Sequence, residues 1–388
     1  AAGHGATFDG LGPTNGFHPL WTVLLTPLYL GSPESLFGPI RAMIVLAVVL
    51  HLGAGLAVRY AVGRFASAGV ADLAGVLYLG NPLALYLVVS GMESPAVAVV
   101  VALLAAVSIR VQQGDLPLSS GKGALLVGLL CGLCMLARTE LVLLAGLVLA
   151  QAVLWPTRDM IRAWSTRLRW GVTAGMTALA VIAPWLAWNL WRFGSVVQVS
   201  AQAHNLHASS LGGSAQEGGL AGLLSLGHRL WSIFSVSLFL RLPLPPAVIV
   251  ILALATAGLL IWWLVSGLKD RTTREPFLAQ LRWLLAPILY AGGFVGAAFL
   301  ILGHVRSWYA AGPLTVAAVV AGLPLWLAFD RRAGARTVVP VSRLVAVLYA
   351  GGMLALGPVF LREIAHESDN LNCWREAADV AARVAETG

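Results

Sequence analysis

Charge is what this sequence has least of. Only 11% of its 388 residues are Asp, Glu, Lys or Arg, against about 25% in an ordinary water-soluble protein. A surface so poor in charge cannot be solvated by water throughout, so lipid must cover most of it. Cysteine is scarce as well. Cys131, Cys134 and Cys373 provide no disulfide framework, and the first two sit inside an apolar run where packing accounts for them. There is no phosphate-cradling GxxxxGKS/T segment, and no nucleotide cofactor is expected. No internal repeat is visible, which counts against a transporter built from inverted halves. Neither an initiator Met nor a leading apolar segment precedes residues 1–20, which hold five glycines and two prolines without helical or strand periodicity. The sequence therefore reads as starting, at Ala1, within a loop, as a piece of a longer chain would.

What the chain does have is length in apolar runs: 59% of it is hydrophobic. A helix that crosses a bilayer needs about 20 mainly apolar residues. The runs predict an all-α, polytopic transmembrane bundle of about ten spans, near 40–60, 70–89, 95–109, 123–137, 141–155, 171–190, 245–265, 284–302, 310–328 and 340–360. The third, fourth and fifth are short. Residues 19–30, PLWTVLLTPLYL, are too short to span, carry two prolines and read as an interfacial segment in the first outer loop. Residues 220–240 read as a second interfacial or partly inserted segment. Residues 1–360 form the membrane domain, and 361–388 begin an outer C-terminal region.

The basic residues set a direction. Sixteen of the 25 Lys and Arg fall in alternate loops: Arg59 and Arg64; Arg110 and Lys122; Arg158, Arg162, Arg167 and Arg169; Lys269, Arg271, Arg274 and Arg282; Arg331, Arg332, Arg336 and Arg343. The positive-inside bias places these loops in the cytoplasm. The formal charge of +8 then reflects membrane topology, and no nucleic acid partner is expected. The opposite set, 1–39, 90–94, 138–140, 192–243, 304–309 and 361–388, holds every histidine except His51 and most of the acids. It faces outward.

Ionisable groups at a membrane edge are costly unless paired or hydrated, which makes them candidates for function. Four clusters share the outer face. The stretch FDGLGPTNGFHPLW contributes Asp9, Asn15 and His18, suited to an acceptor or cation site, although Asp-Gly and Asn-Gly also serve plain turns. SGMESP contributes Glu93, which is equally an acid at a helix start, where the dipole favours it. ARTEL contributes Arg138 and Glu140, able to pair with other helices or, through the guanidinium, to hold a phosphate. HVRSWY contributes His304, Arg306 and Tyr309, a set suited to an anionic headgroup between helices, or to an interfacial aromatic belt. Arg192, beside Trp188 and Trp191, is explained as well by snorkelling.

In order along the chain, GHGATFDGLGPTNGFHPLW, SGMESP, LARTEL, APWLAWNLWRFG and HVRSWYAAGPL resemble the polytopic glycosyltransferases of the GT-C superfamily, in particular the branch of family 39 and the arabinofuranosyl- and mannosyltransferases. The resemblance implies an inverting enzyme of the inner or plasma membrane with an outward active site. The donor would be a polyprenyl-phosphate sugar, and the acceptor a hydroxyl on a cell-envelope glycan, lipid or protein. It also implies a divalent cation, Mg or Mn, near an acidic general base in the first outer loop. The family's acid pair lies just upstream of the stretch matched by Gly3 to Trp21, which puts the expected general base upstream of Ala1; Asp9 matches a later Asp. His304, Arg306, Tyr309 and Arg138 would take the donor phosphate. Asp9 and Glu93 would serve catalysis. His18, Asn15 and Glu140 would orient acceptor or cation. Two other classes remain: a transporter or flippase of an amphiphilic anion such as a lipid-linked sugar, and an O-antigen ligase-like transferase using a diphosphate-linked donor.

Overall fold

The computed structural model describes residues 13–30, 37–116, 121–155, 164–196, 198, 265, 271–301 and 307–333. The expected span at 340–360, that at 245–265 but for its last residue, the segment 220–240, the tail 361–388, Ala1, Asp9, His304 and Arg306 lie outside the described residues. The elements are helical: α1 (Pro19–Leu30), α2 (Phe37–Val62), α3 (Ala68–Leu79), α4 (Pro82–Val89), α5 (Ser94–Gln113), α6 (Gly121–Ala137), α7 (Val142–Leu154), α8 (Trp164–Phe193), α9 (Arg271–Trp283), α10 (Leu285–Ile301) and α11 (Ala311–Val320). Past α11 the helix runs on through Gly322–Leu325 into a π-helical stretch, Trp326–Ala333.

Four helices are long and apolar enough to cross a membrane: Gly38–Val62, Ser94–Gln113, Trp164–Phe193 and Ala311–Asp330. Two bent pairs raise the number to six. This falls short of the expected count of about ten. Two of the missing spans lie outside the described residues. The other two, α6 and Thr139–Leu154, are apolar helices shorter than 18 residues. The third expected span is not short: α5 runs for 20 residues. It gains a full turn at the polar end, where Gly114 closes it in the left-handed region at φ 85°, a conformation that favours glycine.

α5 is buried on nearly every side and forms the centre of the bundle. α2, α6 and α11 surround it. Lipid-facing surface shows on α2 and α8, where Val45, Leu56, Val172, Met176 and Leu190 are exposed. Exposed residues of this kind, on helices long enough to cross, describe a membrane-embedded protein. α6 and α8 pack through Gly128 and Gly132, a small-xxx-small pair that lets helices approach closely. A methyl at Gly128 would overlap the Ala174 carbonyl, and one at Gly132 would stand 2.6 Å from Val181 Cβ.

Both helix breaks are built in. α3 stops at Gly80, and Asn81 starts α4 by accepting hydrogen bonds from the Leu83 and Ala84 amides at 3.0 and 3.2 Å. Pro82 at the first helical position suits such a start. At the α9–α10 bend of 60°, the freed backbone groups are met by Gln151 of α7. Its amide donates to the Arg282 carbonyl at 2.6 Å and its carbonyl accepts from the Ala286 amide at 2.8 Å. Inside a bilayer such groups have no water to turn to.

Contacts between turns follow the loop sets drawn from charge. At one end, Arg64 pairs with Gln113 and Asp115, Asp330 accepts from the Ser67 amide at 2.7 Å, and Gln280 donates to the Phe65 carbonyl at 3.1 Å. At the other end lie the turns at residues 15–18, 91–93, 138–140 and 309, joined as described next.

Candidate functional site

The first loop reaches the site by being clamped on α8. Asn15 and Asn189 are both fully buried, and the Asn15 amide donates to Asn189 Oδ1 at 3.2 Å. The Gln198 amide donates to the Phe17 carbonyl at 3.1 Å. The Phe17 ring meets Trp185 edge-on at 5.0 Å between centroids, and Trp185 stacks on Trp188 at 5.0 Å. These contacts hold the backbone just before α1, whose first turn closes when the Thr22 amide donates to the His18 carbonyl at 3.1 Å. Trp21 is buried, and its indole donates to the Gly91 carbonyl at 3.2 Å. That bond ties the first loop to the turn carrying Glu93. Gly91 sits at φ 73°, which lets the chain reverse tightly there.

Glu93 occupies the N-cap position of α5 but makes no side-chain cap bond. Its carboxylate is turned elsewhere. Oε1 accepts from Arg138 Nη1 at 2.9 Å and stands 3.4 Å from His18 Nε2. Arg138 lies in extended backbone between α6 and the one-turn helix Thr139–Leu141. This break in an otherwise apolar hairpin aims its guanidinium at Glu93 and at Glu140, with which it also pairs. The same guanidinium lies over the Tyr309 ring, 4.4 Å from its centroid, a cation–π contact. Tyr309 belongs to the short turn Ser307–Ala310 that leads into α11, and Phe294 and Tyr290 of α10 continue the aromatic row behind it.

The cluster has a dry floor and an open rim. The side chains of Glu93 and Arg138 are 4% exposed, those of His18 and Glu140 26%. Two carboxylates face one guanidinium, so this part of the site carries a net negative charge while His18 is neutral. Burial pushes the His18 imidazole below its usual 6.5; Glu93 opposes that shift and Arg138 adds to it. His18 is therefore neutral at pH 7. Its Nδ1 is buried and has no hydrogen-bond partner among the described residues.

Five of the nine residues expected to form a site thus meet within one cluster: His18, Glu93, Arg138, Glu140 and Tyr309. Asn15 stands one layer behind, holding the loop. Asp9, His304 and Arg306 lie outside the described residues, as does Ala1, and the acidic base expected upstream of Ala1 falls outside the sequence. Arg138, expected as a phosphate ligand, is engaged by two carboxylates. Among the described residues no group of three or more His, Cys, Asp or Glu side chains is placed to hold a metal ion. Glu93 and Glu140 direct their charge at Arg138, so the described donors do not fit a divalent cation. Asn189 and the Trp185–Trp188 stack were not singled out by sequence, although an amide within the apolar run APWLAWNLW was a visible anomaly. Arg192 is exposed, as snorkelling requires. Comparison with protein-family models, with curated proteins and with solved structures returned no match.

Proposed function

We propose that this chain is a membrane glycosyltransferase that moves a sugar from a polyprenyl-phosphate donor to an acceptor hydroxyl on the outer face of an inner or plasma membrane. The observation that supports it best is the convergence of four chain-distant turns on one buried ion pair at the end of the bundle poor in Lys and Arg. A buried Arg–Glu pair is weak evidence for stability, because desolvating two charges offsets most of their attraction. Its presence is better understood as positioning chemical groups where water is scarce.

On this reading the rim formed by His18 and Glu140, above the buried Glu93, receives the acceptor hydroxyl. The acceptor oxygen attacks the anomeric carbon, and the carbon–oxygen bond to the lipid phosphate breaks with its electron pair going to that phosphate. His304, Arg306 and Tyr309, which precede α11 in sequence, stabilise the departing charge, the electrostatic term that usually dominates such steps. The full bundle has about ten spans, with the Arg-rich loops in the cytoplasm.

The test is transfer of labelled sugar by the purified protein in lipid nanodiscs, offered polyprenyl-monophosphate or polyprenyl-diphosphate donors. Transfer from the monophosphate is expected, with R306A reducing turnover at least about tenfold. Turnover from the diphosphate alone would move the protein to the ligase-like class, and unchanged turnover in R306A would remove the phosphate assignment.

A further inference from the structure

We infer that the Arg-rich end of the bundle binds the headgroup of an anionic phospholipid where α7, α8 and α9 meet. This site lies at the opposite end from the Glu93–Arg138 cluster and does not depend on the transferase reading. Two guanidinium groups from different helices come to the last turn of α7. Arg167 of α8 donates through Nη1 to the Val153 carbonyl at 3.0 Å, and its guanidinium carbon stands 5.1 Å from the Trp164 ring centroid. Arg282, at the end of α9, lies over the Trp155 ring, 5.6 Å from its centroid. Both arginines are half-buried. A cation at a helix C-terminus is favoured by the dipole alone, which accounts for Arg167 but not for Arg282 or the two indoles. A guanidinium stacked on an indole presents its N–H edge to a phosphate. The frame around the pair is fixed. α7 and α8 pack so closely beside it that a methyl at Gly171 would stand 2.5 Å from Val153 Cγ2. Gln151 holds the Arg282 carbonyl at 2.6 Å, and Gln280 holds the Phe65 carbonyl at 3.1 Å. α9 thus turns 60° away from α10 and carries Arg271, Arg274 and Arg282, a basic helix suited to a bilayer interface.

The surroundings of the two arginines select an amphiphile over a free anion. Trp155 and Trp164 are about half exposed, and indoles favour the depth of the lipid headgroups. Leu168, Val172 and Met176, all exposed, follow one another at helical spacing along α8 from Arg167, a path that an acyl chain can cover and a free phosphate cannot use. Charge points the same way. The described acids of this end are engaged elsewhere: Asp72 with Arg59, Asp115 with Arg64, and Asp330 with the Ser67 amide. Glu275 is exposed and lies nearly two turns before Arg282. Arg167 pairs with no carboxylate among the described residues. Arg169 and Lys122, both exposed, add positive charge nearby. Arg158, Asp159 and Arg162, between the two tryptophans in sequence, lie outside the described residues and are not counted in the site.

The experiment is native mass spectrometry of the full chain, delipidated in detergent and titrated with phosphatidylglycerol or with phosphatidylcholine of the same acyl chains. Wild type should bind the first phosphatidylglycerol at least about tenfold more tightly than phosphatidylcholine. R167Q/R282Q should bind the two lipids within about threefold of each other. The single variants R282Q and R192Q each remove one positive charge, at opposite ends of the bundle. R282Q leaves the Arg167–Val153 bond and the Gln151 bond to its own carbonyl in place, so it reports on the site even if the double variant does not fold. It should lose at least about threefold of the preference, whereas R192Q should lose none. Inorganic phosphate in excess should not displace the bound lipid. Equal affinity of wild type for the two lipids, a preference that survives in R282Q, or an equal loss in R192Q would overturn the site. Displacement by inorganic phosphate would overturn its assignment to a lipid.

Discussion

At the residue scale, Arg138 and Glu93 are the most exacting pair. Removing the guanidinium in R138A would strand Glu93 among apolar helices beside Glu140. Loss of one partner of a buried pair costs about 3–5 kcal/mol, so R138A should show a markedly lower unfolding temperature in detergent than wild type. The double variant R138M/E93L should recover most of that loss while remaining inactive. A double variant no more stable than R138A would mean that the two side chains do not share a buried contact. His18 gives a pH-dependent counterpart. Its imidazole is held below 6.5 in the folded protein, so the unfolded chain binds more protons once the pH falls beneath that value. Stability contributed by neutral His18 is full above about 6.5 and declines as pH drops toward the folded value. Wild type should accordingly lose more thermal stability than H18N between pH 7.5 and 5. These residues were legible in the sequence because each is a charge or imidazole next to apolar runs, where nothing but pairing or function sustains it. Their mutual pairing was not legible, since 45 residues separate Glu93 from Arg138 and no spacing rule spans that distance.

Among the elements, the α9–α10 bend depends on one side chain. In Q151L the Arg282 carbonyl and the Ala286 amide lose their hydrogen bonds to Gln151, and a buried backbone group that loses its hydrogen bond costs about 1–3 kcal/mol. Q151L should therefore unfold well before wild type, whereas Q151E, which keeps an acceptor for Ala286 but lacks the donor for Arg282, should fall between them. The α6–α8 contact gives a sharper contrast. G132V should destabilise the bundle because Val181 already fills that space, while G146A and G175A, which meet no neighbour within 4 Å, should cost little or add slightly through helix propensity. Thermal denaturation in detergent checks the three side by side. Hydropathy located the helices well: each expected span among the described residues is largely helical, although 70–89 is broken at Gly80–Asn81 into α3 and α4. It erred on the length of α5 and foresaw that α6 and α7 would be short. The end of α5 runs through Ser108, Arg110, Gln112 and Gln113, polar residues that a window of apolar residues ends at but that Gly114 and the Arg64 contact accommodate. α6 and α7 are short because Arg138 interrupts them at the site, so the turn that carries the ion pair takes its residues from both helices.

For the whole molecule, the contacts between turns separate the described residues into two ends, and the proposed function takes the Arg-rich one as cytoplasmic. The Arg-rich end is stitched by Arg64, Gln151, Gln280 and Asp330. The other end gathers His18, Glu93, Arg138, Glu140 and Tyr309. That division was readable from Lys and Arg positions alone, because the positive-inside bias acts on loops regardless of how helices pack. Which sugar and acceptor are used was not, since no described residue of the site carries a pattern particular to one. The decisive measurement is made in sealed proteoliposomes, with protein orientation mapped by labelling single cysteines placed at residues 92 and 122. Vesicles exposing the residue 92 side are given a polyprenyl-monophosphate sugar and a water-soluble acceptor on the outside. Labelled sugar should join the acceptor without the lipid crossing the bilayer, and E93Q should sharply reduce it. Movement of the intact lipid-linked sugar to the inner leaflet, with no sugar transferred, would contradict the transferase account and make the cluster part of a transport pathway.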